Sequence, residues 1–199
     1  MHGLINRSIQ CFLADTYGTD FWAAVAVGAG IGPQGFETML HYDDALTEAV
    51  LSGAADRLGK PRAALLEDLG IFLVSNPRLE ALRRLLRFGG EDFIEFLQSL
   101  DDLAGRARLA VPDLDLPDLE LQEHGARRFR LLCRWHVPGG CHVMTGILRA
   151  LADDYGALVV LNLCDATADD AAVEIELLDS RFSEGRGFSL AIPVDQGAA

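Results

Sequence analysis

The spacing of apolar residues changes at Val111-Pro112, and this change limits the folds open to the chain more than any other feature. Before it, apolar residues recur every three or four positions, which is typical of helices with one buried face. After it, residues 129–135, 157–163 and 172–178 have the alternation or the Val and Leu content of strands, while residues 143–155 return to helical spacing. The sequence therefore predicts an α+β fold, with a helical first half and a second half of strands plus a helix.

The residues that start and end helices divide the first half into segments. The pattern predicts helices over residues 4–17, 21–25, 43–58, 61–75, 79–88 and 92–108. Tyr17-Gly18, Gly59 and Asn76-Pro77 are expected to end three of them. Two prolines and three aspartates over residues 112–118 predict an extended linker into the second half.

The composition excludes several classes of partner. The chain has 199 residues, 50% of them hydrophobic, which is enough for the core of one domain. Its formal net charge of −13 is offset by no Lys/Arg-rich run, so it repels nucleic-acid phosphates and acidic membrane surfaces. No apolar run approaches the ~18 residues of a membrane span, and the first residues do not resemble a signal peptide. Four cysteines without a CxxC pair favour a reducing compartment, so we expect a cytoplasmic protein.

Short motifs follow one another in a distinctive order. Gly3-Leu4-Ile5-Asn6 and Tyr17-Gly18 lie at the ends of the first helix, Leu65-Leu66-Glu67-Asp68-Leu69-Gly70 lies in the fourth, and Leu100-Asp101-Asp102-Leu103 lies in the last. Each motif alone is weak. In this order and at this spacing, the chain resembles the haem-nitric-oxide/oxygen-binding (H-NOX) family over residues 1–178.

The resemblance implies a fold and a function. The fold would be a helical N-terminal lobe, residues 1–62, packed on a C-terminal lobe of antiparallel sheet plus helices, residues 63–190, with a frayed tail at 191–199. Members of the family hold haem between the lobes, with a histidine of the long helix on the iron and a Tyr-x-Ser-x-Arg motif on the propionates. Nitric oxide or oxygen binds the other face of the iron, and the lobes shift. The partner is usually a histidine kinase, a cyclic-di-nucleotide enzyme or a cyclase.

The chain departs from the family at both haem-binding motifs. Residues 86–117 align without a gap, and Ala104 stands where the iron-binding histidine is expected. An alanine methyl group cannot coordinate iron. The propionate motif should lie near residues 133–137, which read Cys-Arg-Trp-His-Val, and Arg134 is too early in the segment, by an odd number of positions that places it on the opposite face of a strand. Haem held in the usual way is therefore not expected.

The pocket between the lobes is nevertheless expected to remain, with an apolar wall. An empty cavity costs ~24 cal/mol per Å³, so a ligand must fill this space or side chains must collapse into it. The two alternatives are a hydrophobic ligand, such as a fatty acid, and an ordinary filled core. By matching positions, the wall would comprise Ile5, Leu73, Val74, Phe93, Leu100, Leu103, Ala104, Pro117, Leu119, Val143 and Ile147.

Two further hypotheses involve a metal. In the first, haem has a displaced iron ligand, which would be one of the five histidines: His2, His41, His124, His136 and His142. The alternative for each histidine is an ordinary surface or hydrogen-bonding role. Thiolate and imidazole also bind zinc, and the resemblance implies a precedent for such a site, since some members of the family carry cysteine-bound zinc in the second lobe. The candidates for a zinc site or a thiol redox site are Cys133, His136, Cys141, His142 and Cys164. The alternative is that these cysteines are buried free thiols and these histidines bind no metal.

No nucleophile, base and orienting group stand in a catalytic pattern, so an enzyme is not expected. The sequence favours a sensory protein that binds a ligand between its lobes and signals through a separate partner, a histidine kinase or a cyclic-di-nucleotide enzyme by resemblance. A basic face on this acidic chain either pairs with Glu80 and Asp92 or docks an acidic partner; it comprises Arg78, Arg83, Arg84 and Arg87.

Overall fold

The first three helices are α1 (Gly3–Tyr17), α2 (Thr19–Gly28) and α3 (Asp44–Leu58). They belong to a computed structural model that describes residues 1–32, 34–165 and 170–188. Asp43 caps α3 by accepting a hydrogen bond from the backbone N–H of Ala45, and Gly59 ends it in the left-handed conformation at φ 59°. The tail expected at 191–199 lies outside the described residues.

The last predicted helix of the first half is divided in the structure. The helices from residue 62 onward are α4 (Arg62–Ser75), α5 (Glu80–Arg87), α6 (Phe93–Gln98) and α7 (Leu103–Ala110). The single helix expected over residues 92–108 is therefore wrong, since a 3₁₀ turn at Leu100–Asp102 separates α6 from α7. The backbone carbonyl of Ser99 accepts from Nη2 of Arg106 at 3.0 Å, while the N–H of Leu103 bonds to the carbonyl of Leu100. The α-helical hydrogen bond between Ser99 and Leu103 is thus replaced by a tighter turn.

The second half forms a four-stranded antiparallel sheet with one helix, which confirms the α+β fold. The strands β1 (Asp118–Glu123), β2 (Arg128–Arg134), β3 (Leu158–Asp165) and β4 (Asp170–Asp179) lie in the order β1-β2-β4-β3, and α8 (Cys141–Tyr155) links β2 to β3. Strand β1 was not predicted, because its acidic residues resemble the preceding linker. As an edge strand paired only with β2, it tolerates this charge.

Helices α4 and α8 approach closely at two glycines. A Cβ on Gly70 would overlap the carbonyl oxygen of Val143, and one on Gly146 would overlap that of Glu67. Only glycine permits this distance between the two backbones. The contact sets the rotation of both helices about their axes, and therefore which of their side chains face the rest of the core. Among the described helices, none has the length and apolar character needed to cross a membrane.

Candidate functional site

A cavity of about 200 Å³ lies among six helices and the segment that precedes β1. Its wall is almost entirely hydrocarbon, and no charged side chain belongs to it within the described chain. The wall comprises Met1, Leu4, Ile5, Ser8, Ile9, Thr47, Leu51, Leu66, Leu69, Leu73, Leu82, Leu85, Leu86, Leu103, Ala107, Leu114, Leu116, Pro117, Trp135, Val137, Gly140, Val143, Met144 and Ile147.

The structure brings six of the eleven predicted pocket residues into this wall: Ile5, Leu73, Leu103, Pro117, Val143 and Ile147. The other five lie elsewhere: Val74, Phe93, Leu100 and Leu119 are buried outside the wall, and Ala104 is half-buried beside it. Successive residues of a helix point about 100° apart, so the neighbour of a wall residue faces a different part of the core. That any of these side chains contacts a ligand stays a prediction.

Several wall residues were not predicted from the sequence. Helix α5 contributes Leu82, Leu85 and Leu86, and α7 contributes Ala107 one turn beyond Leu103. The three- and four-residue spacing of these side chains was the available signal. It shows which residues share a face, but not that this face turns toward the pocket.

The polar atoms in the wall are few, and two of the three polar side chains have partners. Oγ of Ser8 donates to the carbonyl of Leu4 at 3.0 Å, and Oγ1 of Thr47 donates to Oδ1 of Asn6 at 2.7 Å. The third is Trp135, whose Nε1 is buried and has no hydrogen-bond partner among the described residues.

The residues of the wall do not fit haem. Haem iron is bound in proteins by His, Cys, Tyr or Met side chains. In the described part of the chain, the wall holds none of the first three, and its only sulfur atoms are the thioethers of Met1 and Met144. No side chain of the wall is a cation in the described residues, and the N-terminal ammonium of Met1 is already paired with Asp44. Ala104, at the position expected for the iron ligand, does not line the cavity at all.

None of the five histidines lines this cavity within the described chain. Buried His2 accepts the N–H of Leu4 through Nδ1, which caps α1, and its ring packs edge-to-face on His41 at 5.0 Å between centroids. His136 lies between two carboxylates, with Nε2 3.3 Å from Asp44 and Nδ1 3.1 Å from Asp115. The other two, exposed His124 and half-buried His142, also lie outside the wall.

The five candidate zinc ligands are not brought together. Sγ of Cys141 donates to the backbone carbonyl of Cys133 at 3.1 Å, but Cys164 is exposed on β3. The hydrogen bond with Cys141 and burial both raise the pKa of the Cys133 thiol, which keeps it in the protonated form that binds metals poorly. Among residues 1–32, 34–165 and 170–188, no group of three or more His, Cys, Asp or Glu side chains is placed to hold a metal ion.

Behind α5, two arginines of the predicted basic face hold a buried carboxylate. Nε of Arg83 donates to Oδ1 of Asp154 at 3.0 Å, and Nη1 of Arg87 lies 3.4 Å from Oδ2. The Asp154 side chain is 1% exposed and that of Arg83 is 5% exposed. Burial alone lowers the pKa of Arg83, but the carboxylates of Asp154 and Glu80 outweigh it, and the pKa is raised.

The pairing predicted for this face is thus half right. Glu80 does pair with Arg83 and Arg84, whereas Asp92 caps α6 by accepting from the N–H groups of Ile94 and Glu95. Arg78 pairs with Asp15 of α1.

A segment near the C-terminus lies over these arginines. We name residues 183–188 the C-terminal strap. Backbone N–H groups of Ser183 and Arg186 donate to the carbonyls of Gly156 and Asp154, and Nη2 of Arg83 donates to the carbonyl of Gly187 at 3.1 Å. The guanidinium of Arg87 lies 5.0 Å from the ring centroid of Phe188. The same α5 therefore contacts the cavity on one face and the C-terminal strap on another.

Comparison with known proteins gives one family. The model of the family described as "Haem-NO-binding" matches residues 2–162. The soluble guanylate cyclase gcy-31 of Caenorhabditis elegans is 24% identical over 170 residues, which are 85% of this chain and 24% of that protein. The soluble guanylate cyclase 89Da of Drosophila melanogaster is 22% identical over 160 residues, or 80% of this chain and 24% of that protein. The chain thus spans about a quarter of the length of these curated relatives.

Solved structures agree on the fold. The Fe(II) unliganded H-NOX protein from K. algicida superposes with a TM-score of 0.78 at 16% identity, covering 90% of this chain and 97% of that one. An H-NOX protein from S. oneidensis in the Fe(II)NO ligation state gives 0.76 at 17% identity, covering 90% of this chain and 100% of that one.

Proposed function

The chain belongs to the haem-NO-binding family, and from this premise we propose that it is a sensor whose cavity binds an apolar molecule in place of haem. Domains of this family are sensory and not catalytic. One observation carries the proposal: the cavity wall has no charged side chain and no His, Cys or Tyr in the described chain. The site keeps the shape of a ligand pocket but has exchanged the chemistry that holds haem for hydrocarbon.

The size of the cavity supports a ligand. An enclosed empty cavity costs ~24 cal/mol per Å³, so leaving the enclosed part of this apolar pocket of about 200 Å³ unfilled is unfavourable. An apolar molecule that fills it regains much of that free energy. An engineered cavity of about 150 Å³ takes benzene, so the natural ligand is somewhat larger than benzene or extends beyond the cavity.

The signalling half of the proposal rests on α5. Filling the cavity presses on Leu82, Leu85 and Leu86, and Arg83 and Arg87 of the same helix hold the C-terminal strap. A shift of α5 would therefore change the surface at the strap. A separate protein that contacts this surface would read the change, and the classes we expect from the family are a histidine kinase, a cyclic-di-nucleotide enzyme or a cyclase.

The test combines colour with ligand binding. We expect the purified protein to be colourless, to take up no stoichiometric haemin and to be stabilised against heat by ethylbenzene. Ala107→Leu fills the cavity from α7 and should abolish this stabilisation. Ala104→Leu is the matched control, since it adds the same side chain to the same helix outside the wall and should leave the stabilisation intact.

Two outcomes would reject the proposal. A Soret band that is lost on mutating a single histidine would establish haem with a displaced ligand. Equal stabilisation of wild type, Ala107→Leu and Ala104→Leu by ethylbenzene would show that the molecule binds elsewhere. Native mass spectrometry of the untreated protein adds an independent measurement, because a retained apolar ligand and a retained zinc ion differ in mass.

A further inference from the structure

The imidazole of His136 lies between two carboxylates that belong to separate segments of the chain. Its Nε2 is 3.3 Å from Oδ2 of Asp44, the first residue of α3, and its Nδ1 is 3.1 Å from Oδ2 of Asp115, in the segment before β1. We name these three residues the His136 bridge. An ionised carboxylate only accepts hydrogen bonds, whereas a neutral imidazole has one N–H and an imidazolium has two. Both hydrogen bonds of the bridge therefore form at once only when His136 is protonated.

The His136 bridge lies directly beside the cavity wall. Both neighbours of Asp115 and both neighbours of His136 line the cavity: Leu114, Leu116, Trp135 and Val137. The side chains of the bridge itself are about half exposed to solvent. These two short segments thus have the cavity on one side and solvent on the other, so a single layer of chain closes the cavity at this place.

Few backbone hydrogen bonds hold the segments that the bridge joins. Within the described chain, the backbone N–H groups of Asp115, Leu116 and residues 135–137 donate to no backbone carbonyl. The rest of the wall is formed mostly by helices, whose N–H groups are bonded internally. Segments with few hydrogen bonds open more readily than helices. The wall should therefore open here first, and the His136 bridge opposes that opening.

The charges around the ring identify His136 as the group that responds to pH. Among the described residues, the ring faces the two carboxylates, and the N-terminal ammonium of Met1 lies 2.6 Å from the other oxygen of Asp44. The hydrogen bond with this ammonium lowers the pKa of Asp44, so the carboxylate stays ionised at mildly acidic pH. Half-buried His142 of α8 lies outside the wall. Charged groups on the adjoining segments have their own contacts: Arg62 with Glu48, Arg134 with Asp118 and Glu120, and Asp43 with the N–H of Ala45. Histidine is the side chain that ordinarily changes charge between pH 5 and 8.

We propose that the His136 bridge is a pH-dependent latch on the cavity, which slows the entry and release of the ligand when His136 is protonated. At low pH the imidazolium ties the start of α3, the segment before β1 and the segment after β2 together. As the pH rises the ring loses one N–H, one carboxylate is released, and the wall opens more often. This inference rests on the ligand-binding function proposed above.

The rate at which ethylbenzene leaves the cavity, measured by relaxation-dispersion NMR at pH 5.5 and pH 7.5, tests the latch. We expect release to be about threefold faster at pH 7.5, which is the size of effect expected from one half-exposed ion pair. His136→Gln cannot titrate, so its release rate should be the same at both pH values and close to that of the wild type at pH 7.5. Asp115→Asn removes one carboxylate of the bridge and should also abolish the difference.

Two controls locate the effect. His142→Gln removes a histidine of α8 outside the wall, and Asp113→Asn removes an exposed carboxylate two residues before Asp115. Both variants should keep the threefold difference. Equal release rates of the wild type at the two pH values, or a difference that persists in His136→Gln, overturn the latch while the cavity function stands. Loss of the difference in either control assigns it to another group and also overturns the latch. If ethylbenzene binds at neither pH, this inference and the proposed function fall together.

Discussion

Asp154 is a buried carboxylate whose loss should strongly destabilise the fold, and the size of that loss follows from its burial. Its carboxylate is 1% exposed and faces Arg83, which is 5% exposed, and Arg87, which is 10% exposed. Asp154→Ala would leave Arg87 in the interior without its counter-charge, and Arg83 with the half-exposed Glu80 alone. Removing one partner of a buried ion pair costs about 3–5 kcal/mol, so we expect a loss of about 4 kcal/mol in the free energy of unfolding.

Urea unfolding followed by circular dichroism measures this loss. With a slope of ~2 kcal/mol per M, the midpoint of unfolding should fall by about 2 M. Asp153→Ala is the matched control, because Asp153 is the exposed neighbour on the same last turn of α8, and its removal should change stability by less than ~0.5 kcal/mol.

A double variant separates the effect of charge from that of packing. Asp154→Leu combined with Arg83→Met replaces the pair by apolar side chains of similar size and should recover much of the stability lost in Asp154→Leu alone. A loss below ~1 kcal/mol for Asp154→Ala, or no recovery in the double variant, would refute the assignment of this cluster as a buried ion pair that holds α5 to α8.

Two further predictions concern the stability of the protein at low pH and the contact between α4 and α8. The hydrogen bond with the N-terminal amine lowers the pKa of Asp44, and the nearby charge of His136 lowers it further. The ionised Asp44 carboxylate therefore stabilises the fold above its unfolded pKa of 3.8, and this stabilisation is lost as the pH falls through the folded pKa. In urea unfolding, Asp44→Asn should therefore be less stable than wild type by a few tenths of a kcal/mol at pH 6, and the two proteins should be equally stable near pH 2. A stability difference that does not change with pH would contradict this. Gly146→Ala should cost about 2–3 kcal/mol by forcing α8 away from the carbonyl of Glu67, whereas Gly105→Ala, where a Cβ meets nothing within 4 Å, should gain about 0.5–1 kcal/mol in the same assay. Equal effects of the two alanines would show that α4 and α8 do not approach as closely as described.

The sequence predicted the elements of the fold better than their interruptions. Periodicity found α1 and α3 within about a residue, because their apolar faces and capping residues agree. It missed the break at Leu100–Asp102, because that break depends on Arg106 reaching back to the carbonyl of Ser99, and no local pattern records such a contact. It missed β1 because an edge strand buries little and can be as acidic as a linker.

The candidate site was predictable in character but not in detail. Apolar composition at the matched positions indicated a hydrocarbon wall, and six predicted residues lie in it. The remaining wall residues depend on how each helix is rotated, which contacts such as Gly70 with Gly146 set. The partner of Arg83 could not be found by local spacing either, since Asp154 lies 71 residues away in the chain and 3.0 Å away in space.

Ala104 and Trp135 lie at the two positions where the resemblance expects the iron ligand and part of the propionate motif, and the structure gives them different roles. Ala104 does not line the cavity. Trp135 lines the cavity, while its Nε1 is buried and has no hydrogen-bond partner among the described residues. The rest of the wall is almost entirely hydrocarbon, and its two hydroxyl side chains already have protein partners. An apolar wall of this kind favours the binding of an apolar ligand, as proposed above.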